Sequence, residues 1–138
     1  MQRHGAYTCL DHRKNDHLAE CTNKFDVILE MLANINLGAD LKCLKKGGIV
    51  AVVGSRGPAE VNPRDLMSRD ASIVGVSLAN CSPSDKYAIA AKLFPLLVEG
   101  KLQPVVRKTY SLNDLARAHD DVLQPGALGN LVISIDEA

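Results

Sequence analysis

The sequence has no tryptophan, and aromatic residues make up only 4% of its 138 positions, so it offers few of the flat faces on which single-stranded nucleic acid stacks. Nor is there an excess of either charge, since 16 Lys plus Arg stand against 16 Asp plus Glu. A general attraction to polyanions or anionic membrane surfaces therefore has no source, which disfavours RNA binding without excluding it. Long hydrophobic runs are absent too: the apolar stretch from Gly47 to Ser55 falls far short of the roughly 20 residues that a bilayer crossing takes. Behind Met1-Gln2-Arg3-His4-Gly5 there is no apolar segment of the secretory kind, which leaves a cytoplasmic location as the expectation. The cysteines, Cys9, Cys21, Cys43 and Cys81, are irregularly spaced and include no Cys-x-x-Cys pair. That pattern suits reduced, partly buried thiols better than a disulfide framework.

What is present is ordinary for a folded chain. With 46% hydrophobic and 23% charged residues it is apolar enough to build a core, and its length predicts a single domain over residues 1–138. Apolar runs and helical periodicity alternate from end to end, which predicts an α/β fold: a mostly parallel, open sheet with flanking helices. The expected strands are Tyr7 to Leu10, Phe25 to Leu29, Ile49 to Val53, Ile73 to Leu78, Val105 to Val106 and Leu131 to Ile135. Ile49-Val50-Ala51-Val52-Val53 is unbroken and mostly β-branched, the mark of a central strand covered on both faces.

Leu37, Leu41 and Leu44 recur at helical spacing, with Gly47-Gly48 as the stop signal. A longer helix is expected from Ser84 to Gly100, capped by Ser82 or Ser84 and kinked at Pro95. Ser111 and Asp114 resemble a capping box before a last helix whose apolar stripe is Leu112, Leu115, Ala116 and Val122. His119 lies on that stripe as a packed or capping histidine. Gly54 to Arg69, with Pro58 and Pro63, is expected to be irregular surface. A complete doubly wound nucleotide-binding domain opens with a glycine-rich phosphate turn. No G-x-G-x-x-G occurs here, so the sheet is expected to begin part-way through such a fold.

Four stretches carry a resemblance: Glu30 to Asn36 (EMLANIN), Gly48 to Gly57 (GIVAVVGSRG), Asn62-Pro63-Arg64-Asp65, and Ser72 to Val76 (SIVGV). In order and wording they resemble the zeta-crystallin type of NADPH-dependent quinone oxidoreductase, in the zinc-free branch of the medium-chain dehydrogenases/reductases. The similarity runs from about Gly5 to Ile135 and matches the C-terminal part of that family only. It implies a partial Rossmann-like domain, a fragment in which residues 104–138 pack toward a catalytic lobe with no counterpart here. The departures are a shortened stretch from Lys14 to Lys24, Pro95 within a helix, and Asn130 where the family has Lys after Gly129.

In open parallel sheets ligands bind beyond the carboxyl ends of the strands, which selects Val53-Gly54-Ser55-Arg56. A plain turn with a solvated Arg56 is the bland alternative. The resemblance places this segment along the nicotinamide end of NADPH, with Gly54 allowing close backbone approach. It also makes Asn36 a cofactor-contacting amide, although from the residues alone Asn36 reads first as a helix N-cap, with Asn34 as the second candidate. Val76, Ser77 and Leu78 correspond to a strand whose backbone faces the nicotinamide. In the family the strand Ile73–Leu78 also pairs with a second subunit, giving a dimer or tetramer. His12 matches a histidine near the adenosine end. The crowding of His4, Cys9, His12, His17 and Cys21 raises a zinc site as an alternative, but the spacing is not that of a standard finger, and no metal is expected.

The function implied is hydride transfer from NADPH to a quinone or related activated carbonyl compound. This chain supplies cofactor-binding residues and no catalytic side chain, and is expected to be inactive by itself. The competing reading is a non-catalytic, self-associating, crystallin-like module built on an open sheet edge.

Overall fold

A computed structural model describes residues 5–11, 19–125 and 128–135. The chain divides into two compact units, one ending at Asn80 and the other starting at Cys81. In the first, β1 (Phe25–Glu30), β2 (Leu44–Val52) and β3 (Ser72–Gly75) form a parallel sheet in that order, with α1 (Ala33–Cys43) between β1 and β2 and α2 (Pro63–Met67) between β2 and β3. The second unit holds α3 (Pro83–Val98), β4 (Val106–Ser111), α4 (Leu115–Val122) and β5 (Asn130–Ser134), with β4 and β5 paired in parallel. Every described ladder is parallel, so the expected α/β fold with parallel strands and flanking helices is what the chain adopts. No helix among the described residues is long and apolar enough to cross a membrane.

The core of the first unit follows from two periodicities meeting. Ala33, Leu37 and Leu41 lie four apart on one face of α1 and bury with Leu44 and Val50, against which Ile28, Val52, Val61, Leu66 and Ala71 pack. In register, Ile28 pairs with Val50 and Val50 with Ile73, while Leu29, Ala51 and Val74 form the neighbouring row. Because successive strand residues face opposite sides, the row of Val50 meets α1 while Leu29, Ile49 and Val74 remain exposed. The expectation that β2 is covered on both faces is thus corrected: the described helix α1 covers one.

Several local expectations also change. Tyr7 to Leu10 is not a strand; Tyr7 is 100% exposed, and the segment has no ladder partner among the described residues to satisfy an extended backbone. The first helix does not run on to Gly47-Gly48. It ends at Cys43, and Leu44 is already extended. The stop comes from Arg69, whose guanidinium donates to the carbonyls of Lys42 (3.3 Å) and Leu44 (3.1 Å) and to Asn23 Oδ1 (3.1 Å), a cation placed at the negative end of the helix. Gly47, at φ +75°, instead serves an irregularity in β2. Phe25 pairs with Leu44 but Val27 already pairs with Ile49, and the Gly47 N–H donates to the Arg69 carbonyl at 2.6 Å.

The surface stretch after Gly54 contains α2. Asn62 caps it by accepting the Arg64 N–H at 3.0 Å, and Pro63 takes the first turn. β3 stops at Gly75, so Val76 and Ser77 lie beyond it and Leu78 opens a 3-10 turn. β4 is longer than the Val105-Val106 pair suggested, since Arg107, Lys108 and Thr109 hide a half-exposed strand. The expected cap at Ser82 holds, its Oγ accepting the Asp85 N–H at 3.1 Å, and α3 continues through Pro95 to Val98. Ser111 and Asp114 do meet, at 3.0 Å. On α4, Ala118 rather than Ala116 is buried, and Leu115, Ala118, His119 and Val122 share one face beside Leu131 and Ile133 of β5.

Candidate functional site

All three strands of the first unit are parallel, so their carboxyl ends, at Glu30, Val52 and Gly75, lie at one edge of the sheet. Hydrogen bonds there tie the loop after β2 to the loop after β1. The Glu30 carbonyl accepts the N–H of Val53 (2.8 Å) and of Gly54 (3.1 Å), and the Gly54 carbonyl accepts the N–H of Ala33 (2.9 Å), the first residue of α1. Gly54 must be glycine for steric reasons, since a Cβ would stand 2.3 Å from the Met31 carbonyl oxygen. The close approach expected of it is therefore to the chain's own backbone. Beyond it, the Arg56 N–H donates to Asn34 Oδ1 at 2.9 Å and Ser55 Oγ donates to the Gly57 carbonyl at 2.9 Å. The side chains of Ser55 and Arg56 are exposed.

Asn36 sits in the early part of α1 and does not cap it; Leu32 occupies the N-cap position without a side-chain bond. The helix end is satisfied from outside, by the Gly54 carbonyl and by the Glu30 carboxylate, which accepts the Leu32 N–H and, at 3.2 Å, Asn36 Nδ2. A carboxylate at this terminus also meets the positive end of the helix dipole. Glu30 is 5% exposed and Asp40, further along the same helix, 6%. Burial raises the Glu30 pKa, but hydrogen bonds from Asp40, the Leu32 N–H, Asn36 and the Met31 N–H outweigh it, and the net direction is down. Burial, then the hydrogen bond to Glu30 and its charge, push Asp40 up to about 7. Of the two carboxyls Asp40 therefore holds the pair's proton, fully below neutral pH and about half of the time at it.

The structure thus brings Asn36, Val53, Gly54, Ser55 and Arg56 into one connected group. Val76 joins through its N–H, which donates to the Val52 carbonyl at 2.9 Å. Ser77 and Leu78 follow it along the chain, exposed. His12 lies outside the described residues, as do His4 and His17. Sequence reasoning passed over Glu30, Asp40 and the role of Asn34. The available signal was an acid two residues after Ile28, on the strand face that should be buried. A separate concavity of about 600 Å³, lined by Tyr7, Leu10, Cys21 and Phe25 among others, lies at the amino end of β1, the end that open parallel sheets do not use for ligands.

A family model described as zinc-binding dehydrogenase matches residues 4–133. The chain belongs to this family. Among curated relatives, the quinone oxidoreductase of Sus scrofa is 39% identical over 137 residues, covering 95% of this chain and 42% of that protein. The chain thus spans less than half the length of the relatives it matches. Among solved structures, a Pseudomonas syringae quinone oxidoreductase superposes with a TM-score of 0.78 at 21% identity, over 95% of this chain and 43% of that one. A Thermus thermophilus quinone oxidoreductase, solved also in complex with NADPH, gives 0.68 at 24% identity over 80% and 37%. These likenesses establish the Rossmann-like character of the fold. Despite the family's description, no group of three or more His, Cys, Asp or Glu side chains among the described residues could hold a metal ion, so no zinc-dependent step is assigned to them.

Proposed function

We propose that this chain is the cofactor-binding portion of an NADPH-dependent quinone oxidoreductase, and that the edge built by Glu30, Asn34 and Gly54 forms the wall against which the nicotinamide half of the cofactor lies. The observation that carries the reading is the Gly54 wedge. Gly54 packs against the Met31 carbonyl, and its loop is hydrogen-bonded to Glu30 and to the start of α1 at the carboxyl ends of three parallel strands, the edge at which open sheets take their ligands. The names of the relatives, and the NADPH complex of the Thermus thermophilus enzyme, support nicotinamide chemistry and a quinone acceptor. When bound, the cofactor supplies the hydride. The chain's own residues bind and orient: Val53, Gly54, Ser55 and Arg56 along the ring and its ribose, Asn36 through its amide, Val76, Ser77 and Leu78 from the segment that follows the third strand, and His12 toward the adenosine. No side chain here is asked to act as acid, base or nucleophile.

The remaining assignments belong to the same reading. Residues 104–138 pack toward a catalytic lobe, the protein works in the cytoplasm, and Ile73–Leu78 pairs with a second copy. The pairing is supported by the place of β3 at the end of its sheet and by the exposure of Ile73, Val74 and Val76. The test is titration of the 138-residue chain with NADPH, by calorimetry after size-exclusion chromatography. Saturable binding on the order of micromolar is expected, without quinone turnover. A folded, self-associated chain that binds no NADPH overturns the cofactor reading in favour of a crystallin-like structural role.

A further inference from the structure

Glu30 places a charge where the sequence around it is apolar. It ends β1, its side chain is buried, and it joins two segments at once. Through its carboxylate it takes the Leu32 N–H and Asn36 Nδ2. Through its carbonyl it takes the N–H groups of Val53 and Gly54. An ionised carboxylate can only accept hydrogen bonds, so the primary amide opposite it turns its NH2 group inward and is left with Oδ1 directed away from Glu30. A neutral partner of the same shape would hold the amide less firmly, because the bond to it would lose the assistance of the charge.

We propose that Glu30 is a positioning residue for cofactor recognition: its carboxylate fixes the Asn36 amide so that Oδ1 is presented as an acceptor to an O–H or N–H donor of the bound cofactor. The inference rests on the reading of Asn36 as a cofactor contact. Asp40, which holds the proton beside Glu30, lets the carboxylate stay ionised without a buried cation. The main-chain bonds from Glu30 to Val53 and Gly54 hold the facing loop in the same frame, so the amide and the loop are aligned by a single residue.

A double-mutant cycle tests this, with NADPH affinity measured for the wild-type chain, Glu30→Gln, Asn36→Ala and the double variant. Glu30→Gln is expected to weaken binding about five- to tenfold, as for a displaced hydrogen bond, and the double variant to bind no more weakly than Asn36→Ala alone. The Asn36 side-chain NH2 resonances, followed by NMR without cofactor, should shift in Glu30→Gln as the charged acceptor is lost. Should that variant lose its native circular dichroism, Glu30→Asp, which keeps the charge but shortens the reach, replaces it with the same expected non-additivity. Wild-type affinity in the Glu30 variant, losses that add, or unmoved Asn36 resonances overturn the proposal. If the wild-type chain binds no NADPH, the cofactor reading fails and the inference with it. An NH2 shift that persists in that case locates the failure in the reading rather than in the Glu30–Asn36 geometry.

Discussion

Replacing Asp40 by asparagine should make the protein more stable, and by an amount that grows with pH. In the unfolded chain this carboxyl ionises near its ordinary value of 3.8, whereas in the fold it keeps its proton up to about 7. Between those values the folded state binds a proton that the unfolded state has released, so stability is fully present below the lower pKa and is lost as pH rises through the upper one. Each pH unit in that window costs about 1.4 kcal/mol. From pH 5 to 7 the wild type should therefore lose roughly 2 to 3 kcal/mol relative to Asp40→Asn, whose NH2 group can donate to Glu30 as the protonated carboxyl does. The window isolates Asp40 because Glu30, with its lowered pKa, is ionised throughout it in both chains. Other charges near α1 are engaged elsewhere: Lys45 of β2 with Asp26 at 2.7 Å, Lys46 with Asp70 at 3.3 Å, and Asp65 of α2 with Arg69 at 3.9 Å. Urea denaturation of both chains at pH 5, 6, 7 and 8 measures the difference directly. A gap that stays constant across this range, or an Asp40→Asn chain less stable than wild type at pH 8, would refute a proton held in the pair.

Gly54→Ala forces a Cβ to within 2.3 Å of the Met31 carbonyl oxygen, and a loss of about 2 kcal/mol, with NADPH binding abolished, is expected from thermal melts and titration. Asn34→Ala releases the Arg56 N–H; affinity for NADPH should fall about fivefold, the worth of one hydrogen bond, with the melting temperature nearly unchanged. In the second unit, the buried Tyr110 donates its hydroxyl proton to Asp121, and Lys108 lies 4.3 Å from the ring centre and 3.4 Å from the same carboxylate. Tyr110→Phe should lower the urea midpoint, and an unchanged midpoint would show that the hydroxyl's bond to Asp121 contributes nothing there.

Signals that act within a few residues were legible in the chain itself. Ser82 before Pro83 started a helix where a capping serine should, and the β-branched run at Ile49 became the middle strand. The repeat of Leu37 and Leu41 became a buried helix face. Asn62-Pro63 carried the same kind of signal for α2 but was hidden among surface residues. Tyr7 to Leu10 had the composition of a strand without a partner to pair with, and β-propensity only reports fitness for a surface that other strands must provide.

The sequence by itself therefore determined the α/β class, the parallel arrangement and the segment after β2 as the place to look, because periodicity, caps and the position of loops are local properties of the chain. Tertiary structure alone decided how that place is built. Only packing of β1 against α1 sets Glu30 beside Asp40, ten residues away. Only the β1–β2 register brings Gly54 against Met31, and only the return of the chain after α2 brings Arg69 to the end of α1. Periodicity names the face a residue occupies. Which group it meets there, and so whether it ionises, orients an amide or closes a helix, depends on ladder register and helix packing between segments far apart in the chain.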